Sequence, residues 1–129
     1  MSTQVETMTA QEVANRLVQL CREGKNADAI NELYDDKVVS IEPEGSPMGG
    51  KTVGKDAILE NTNQWFNSVE QIHSVNISDP IVSGNFFACT MSVDATYKGK
   101  GRNAMDELCV FEVKDGRIVK DQFFYNPGM

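Results

Sequence analysis

Two carboxylates near the end of the chain, Glu107 and Asp121, fall in phase with apolar residues. Met105, Glu107, Cys109, Phe111 and Val113 alternate along one run, and Asp121, Phe123 and Tyr125 along the next. Between the runs stands Asp115-Gly116, a strong hairpin signal because both turn positions need positive φ. A concave sheet face built this way lines a small polar spot in an apolar pocket. Desolvation there favours the neutral carboxylic acid, and a neighbouring donor can share its proton. Such groups suit abstraction of a proton next to a carbonyl, with a second group donating to the developing enolate oxygen.

The elements that must position these residues are legible from their periods. Residues 1–8 carry no period and read as a tail ahead of a single domain over 9–129. Thr9-Ala10-Gln11-Glu12 has the form of a capping box, followed by Val13, Leu17 and Leu20 at helical spacing and by Gly24 as a helix stop. Asn26 is placed to cap a second helix carrying Ile30, Leu33 and Tyr34. Val38 to Ile41 reads as a short strand broken at Pro43, and residues 44–54 as a glycine-rich loop. A third helix over about 56–67 buries Ile58, Thr62, Trp65 and Phe66. The period then changes to two. Strands are expected over 72–77, 87–97, 105–113 and onward from the Asp115-Gly116 turn. Helices first and a strand meander afterwards predict an α+β domain with helices on one face of the sheet.

Composition narrows the classes. With 129 residues, 40% hydrophobic and 24% charged, the chain fits one soluble globular domain. The net charge of −7 argues against nucleic acid, whose binding depends on clustered cations. No apolar run approaches the roughly 18 residues of a membrane span. The start lacks the basic and apolar regions of a signal peptide, so a cytoplasmic protein is expected. Cys21, Cys89 and Cys109 are odd in number, widely separated and each in an apolar phase, which reads as buried free thiols. Neither metal-ligand spacing nor a phosphate loop is present, so no metal and no cofactor are expected.

The element order, with Thr9-Ala10-Gln11-Glu12-Val13, Leu33-Tyr34-Asp35-Asp36, Glu42-Pro43 and Asp115-Gly116-Arg117-Ile118-Val119, resembles the nuclear-transport-factor-like (cystatin-like) superfamily. Within it the chain looks most like the SnoaL-like polyketide cyclases and the steroid Δ-isomerases. The resemblance runs from about residue 9 to 125. It implies an α-α-β-α-β-β-β-β cone in which helices pack on the concave face of a strongly curved, mixed but mainly antiparallel sheet around an internal pocket. It also implies a homodimer through the outer sheet face, where Leu108, Val110, Ile118 and Phe124 are expected. The isomerases place a general-base aspartate just before the proline ending the first strand, and Glu42 matches that position. Their two oxyanion donors are replaced by Leu20 and by Cys109 (Leu108 if the hairpin is shifted by one), which disfavours steroid isomerisation.

Aligned strands put His73 and Val75, then Cys89, Met91, Val93 and Ala95, on the inner face with the carboxylates. The candidate catalytic residues are Glu42, His73 and Asp121. Glu107, Tyr125, Cys109, Met91, Phe123 and Trp65 are the candidate ligand contacts. Bland alternatives stand beside them: Glu42 solvated next to Glu44, His73 turned outward by a one-residue slip, and Glu107 paired with Arg102 or Lys98 at the rim. The expected function is a small-molecule pocket protein, an acid–base enzyme of isomerase, cyclase or lyase type acting on an apolar or polyketide-like carbonyl compound. The alternative is a non-catalytic ligand-binding or dimerisation module of the same shape.

Overall fold

The structure, a computed structural model, describes residues 7–46 and 50–126. The expected tail therefore lies largely outside the described residues. Helix α1 (Ala10–Arg22) begins with the anticipated capping box: the Glu12 amide donates to Thr9 Oγ1 at 3.1 Å and the Thr9 amide donates back to Glu12 Oε1 at 2.9 Å. Its stripe of Val13, Ala14, Leu17, Val18, Leu20 and Cys21 is buried. Helix α2 (Asn26–Leu33) takes in Asn26, its expected cap, so that the cap position falls one residue earlier, on Lys25, with no side-chain cap. Tyr34 does not continue that helix. It opens strand β1 (Tyr34–Ile41) and is buried.

The expected loop after β1 contains a short strand, β2 (Lys51–Val53), antiparallel to β1. Helix α3 (Lys55–Ser68) follows, then β3 (Val69–Ile77), β4 (Ile81–Ser83), β5 (Phe86–Tyr97), β6 (Gly101–Lys114) and β7 (Arg117–Phe124). Among the described residues these seven strands form one sheet in the order β2-β1-β7-β6-β5-β3, with β4 beside the start of β5. Neighbours run antiparallel except β1 and β7, which are parallel. The architecture is thus α+β on a mixed, mainly antiparallel sheet, as expected. The β6–β7 turn has φ of 51° at Asp115 and 75° at Gly116, and a Cβ on Gly116 would meet Thr7 Cγ2 at 2.7 Å. Glycine there serves both the turn and the close passage of the chain entering α1. No helix among the described residues is long and apolar enough to cross a membrane.

All three helices pack on the inner sheet face, where Phe87 and Phe111, opposite each other on β5 and β6, stack with centroids 4.5 Å apart. Phe123 meets Phe111 edge-on. Helix α3 is covered less than its pattern suggests: Ile58 is buried, whereas Thr62, Trp65 and Phe66 are half-buried. The outer face carries Phe86, Leu108 and Phe124, each 44–51% exposed. Ile118 is not among them. A bulge where β6 and β7 pair, between Glu112↔Lys120 and Val113↔Ile118, shifts the phase of β7 by one and turns Ile118 into the core.

Truncating the centre of this stack, Phe111→Ala, should lower the urea-unfolding free energy by about 3–5 kcal/mol. Thr9→Ala should lower it by about 1 kcal/mol, through loss of the cap alone.

Candidate active site

The parallel pairing of β1 with β7 assembles the first part of the site. Its register sets Ser40 beside Asp121 and Tyr34 beside Ile118. Asp121 is 1% exposed; the Tyr34 hydroxyl donates to its Oδ2, and its Oδ1 has no hydrogen-bond partner among the described residues. Burial pushes the Asp121 carboxyl up to about 6, against the opposing pull of the Ser40 and Tyr34 hydroxyls. Tyr34 is raised well above the usual phenol range by burial and by the Asp121 charge. The phenol therefore keeps its proton and serves as a fixed donor.

The second part lies where β1 ends. The Glu42 amide donates to the Gly50 carbonyl at 2.8 Å, which pins the residue as the chain turns at Pro43. The Tyr125 hydroxyl donates to Glu42 Oε2 at 2.6 Å and lies 2.7 Å from Ser46 Oγ. Glu42 is raised chiefly by burial, with the Asp121 charge adding and the Tyr125 hydrogen bond opposing. Tyr125 is pushed up to about 12 by burial and by Glu42. Glu42, Phe123 and Tyr125 line an open cleft of about 560 Å³ that continues past Gln122 and Phe124. A second cleft, of about 400 Å³, lies apart from these groups, between α1 and Asp79-Pro80.

Glu107 completes the set from β6. Its carboxyl is pushed up to about 7, first by burial, then by the Glu42 and Asp121 charges, with the Cys109 thiol opposing. Cys109 Sγ donates to Glu107 Oε1 at 3.8 Å. Neither cation expected at the rim is paired with Glu107: Arg102 forks onto Asp94 at 3.0 and 2.8 Å, and Lys98 lies exposed in the β5–β6 turn. Three carboxyls thus lie within electrostatic reach of one another in a partly dry space, and burial holds each above its ordinary value. Carboxyls raised in this way, with phenols and a thiol as donors, form an arrangement that can take a proton and return it.

The expected inner-face residues are largely brought together: Glu42, Glu107, Asp121, Tyr125, Cys109 and Phe123 fall in or beside this set. Met91, half-buried, sits opposite Glu107 on β5. Trp65 packs edge-on to Phe66 and to Tyr97 at 5.0 and 6.1 Å, at the far end of β5. His73 is the correction. A bulge between Ile72 and Ser74 breaks the β3 alternation, and the imidazole is exposed, with Nε2 2.7 Å from Thr96 Oγ1. Three contributors were missed: Tyr34, Ser40 and Ser46. The alternation of Val38, Ser40 and Glu42 carries the signal for Ser40, and Tyr34 was legible only as part of a helix.

The profile of the SnoaL-like domain matches residues 8–125. The chain belongs to the SnoaL-like family. A solved structure of a candidate SnoaL-like polyketide cyclase from Mesorhizobium loti is 33% identical, covers 92% of this chain and 100% of its own, and superposes with a TM-score of 0.81. A candidate isomerase from Bacillus subtilis is 26% identical over 93% of this chain and 91% of its own, with a TM-score of 0.69. A protein of unknown function with a cystatin-like fold from Xanthomonas campestris shares the fold at 16% identity, covering 92% and 91%, with a TM-score of 0.78. No protein with a curated description matches. Leu20 and Cys109 are both buried in the core of this SnoaL-like chain. Among the described residues no group of three histidine, cysteine or acidic side chains is arranged to hold a metal ion.

The raised carboxyls make stability depend on pH. Folding favours their protonated forms, so the stabilisation is complete below the ordinary values of 4.5 and 3.8 and is lost as pH climbs through about 6 for Asp121 and about 7 for Glu107. Glu107→Gln should therefore match the wild type near pH 4 and exceed it near pH 8 by on the order of 3 kcal/mol, read from urea melts at each pH.

Proposed function

We propose that the protein is an acid–base enzyme acting on an apolar, polyketide-like molecule that carries a carbonyl group. The observation that supports this most is the gathering of Glu42, Glu107 and Asp121 with two phenols at one end of the sheet. Glu42, half-buried and lining the open cleft, is the base that takes a proton from the carbon next to the carbonyl. Glu107, whose carboxyl burial pushes up to about 7, donates to the enolate oxygen as charge develops there. Tyr125, bridged between Glu42 and Ser46, orients the Glu42 carboxylate. The Tyr34–Asp121 pair holds a further proton behind them. Cys109, Met91, Phe123 and Trp65 are proposed ligand contacts, and His73 is given no role because it stands in solvent. Isomerase, cyclase and lyase outcomes all begin with this proton abstraction.

A non-catalytic module is favoured by one specific feature, the apolar Leu20 and weakly donating Cys109 where the steroid isomerases have strong donors. The outer-face patch of Phe86, Leu108 and Phe124 is proposed to be covered by a second copy of the chain. The three free thiols fit a reducing cytoplasm.

Aromatic polyketide ketones and cyclic enones incubated with the protein in heavy water separate the two readings. For an enzyme, exchange of the α-hydrogen, followed by proton NMR, should run far above the buffer rate. Glu42→Gln should slow it by about 10²–10⁴-fold while ligand affinity holds within a few-fold. Binding with exchange at the buffer rate for every compound supports the module and sinks the enzyme.

A further inference from the structure

The chain's three cysteines, distant in sequence, converge. Cys89 on β5 and Cys109 on β6 are directly opposed in the antiparallel register, both on the inner face, 3% and 0% exposed. Cys21, from α1, lies close enough to Cys89 for the Cys89 charge to raise its thiol. Directly opposed residues of an antiparallel pair have Cα atoms about 4.5–5.5 Å apart, inside the roughly 4.4–6.8 Å that a disulfide spans. Bridging Cys89 and Cys109 therefore needs side-chain rotation and no movement of strands. On the other side of Cys109 stands the Glu107 carboxyl, whose Oε1 accepts from Sγ at 3.8 Å.

We infer that Cys89 and Cys109 form a two-electron redox site, closing to a cross-strand disulfide on reaction with a hydroperoxide, with Glu107 as the base that takes the Cys109 proton. Cys89 is the attacking sulfur. It keeps slight exposure where Cys109 has none, and contact with Cys109 draws its thiol below the ordinary value. Cys89 sulfur attacks one peroxide oxygen, the O–O bond breaks, and the departing oxygen leaves as water with the Cys89 proton. Cys89 is now a sulfenic acid. Cys109 sulfur then attacks Cys89 sulfur as its proton passes to Glu107. The S–O bond breaks, and hydroxide leaves as water with that proton. Two thiols and one hydrogen peroxide give one disulfide and two waters. Cys21 stays a thiol: its carrier is a helix, its own acidity is suppressed to about 12 by burial, and it has no facing strand partner. The oxidised form loses the Cys109 S–H that Glu107 accepts in the reduced form, so oxidation reaches the acidic site without displacing the backbone.

This reading is independent of whether the protein turns over a substrate, because the thiols themselves are the readout. Folded, fully reduced protein treated with a small excess of hydrogen peroxide at neutral pH should fall from three free thiols to one. Alkylation, digestion and mass spectrometry should locate a single Cys89–Cys109 cross-link lacking two hydrogen atoms. Cys21→Ser should behave as the wild type does. Glu107→Gln should form the bond about tenfold or more slowly, with the same final cross-link. Three persisting thiols in the folded protein, a bond that includes Cys21, sulfinic acid at Cys89 without a cross-link, or an unchanged rate in Glu107→Gln would each overturn the assignment. Wild-type mapping alone decides the first three, so a poorly folding variant does not blunt the test.

Discussion

The pairing of β1 with β7 is the constraint from which the rest of the site follows. It is the parallel contact in an otherwise antiparallel sheet among the described residues, and it joins the first strand of the chain to the last. Parallel neighbours need a long connection, here supplied by everything from β2 to β6. With β7 tied to β6 by the Asp115-Gly116 turn, the register between Ser40 and Asp121 is fixed from two sides. That register delivers Tyr34 to Asp121 and Glu42 to Tyr125, contacts spanning more than eighty positions of sequence. A slip of one residue along β7 would send Asp121 outward and bring Lys120 or Gln122 inward.

The electrostatics of the site depend as much on where cations are spent as on where acids are buried. Arg16 is held by Glu32, Arg22 by the Ile77 carbonyl and Asp79, Lys55 by the Asn31 carbonyl, and Arg102 by Asp94. These pairs are mostly exposed and contribute little individually to stability. Their consequence is that the inner carboxyls meet hydroxyls and a thiol instead of positive charge. A carboxyl that is desolvated and unneutralised keeps its proton to higher pH, which places Asp121 and Glu107 in the range where a group can both give and accept one.

The fold was readable because its signals are local. The Thr9–Glu12 box, the β5 alternation and the Asp-Gly turn each depend on a few neighbouring residues, and each appears as expected. The site was readable where alternation ran unbroken, along β5, β6 and the end of β7. It failed where the backbone adds a residue. The bulge at His73 turns a predicted inner group to solvent, and the bulge before Asp121 takes Ile118 from the outer face into the core. A bulge is decided by how strands meet across the sheet, and no local pattern announces it. Tyr34 was missed for a related reason. Its apolar spacing continues α2, and only the long-range partner Asp121 draws it into a strand. The paired cysteines became visible only with the β5–β6 register, since twenty residues separate them in sequence.

Three carboxyls share a desolvated space without a cation, and all three therefore titrate above their ordinary values. Carbon-13 NMR of the side-chain carboxyls, followed across pH, measures this directly. The account predicts a midpoint near 7 for Glu107 and near 6 for Asp121, with Glu42 displaced upward as well. Midpoints near 4 for all three, as in freely solvated side chains, would contradict it.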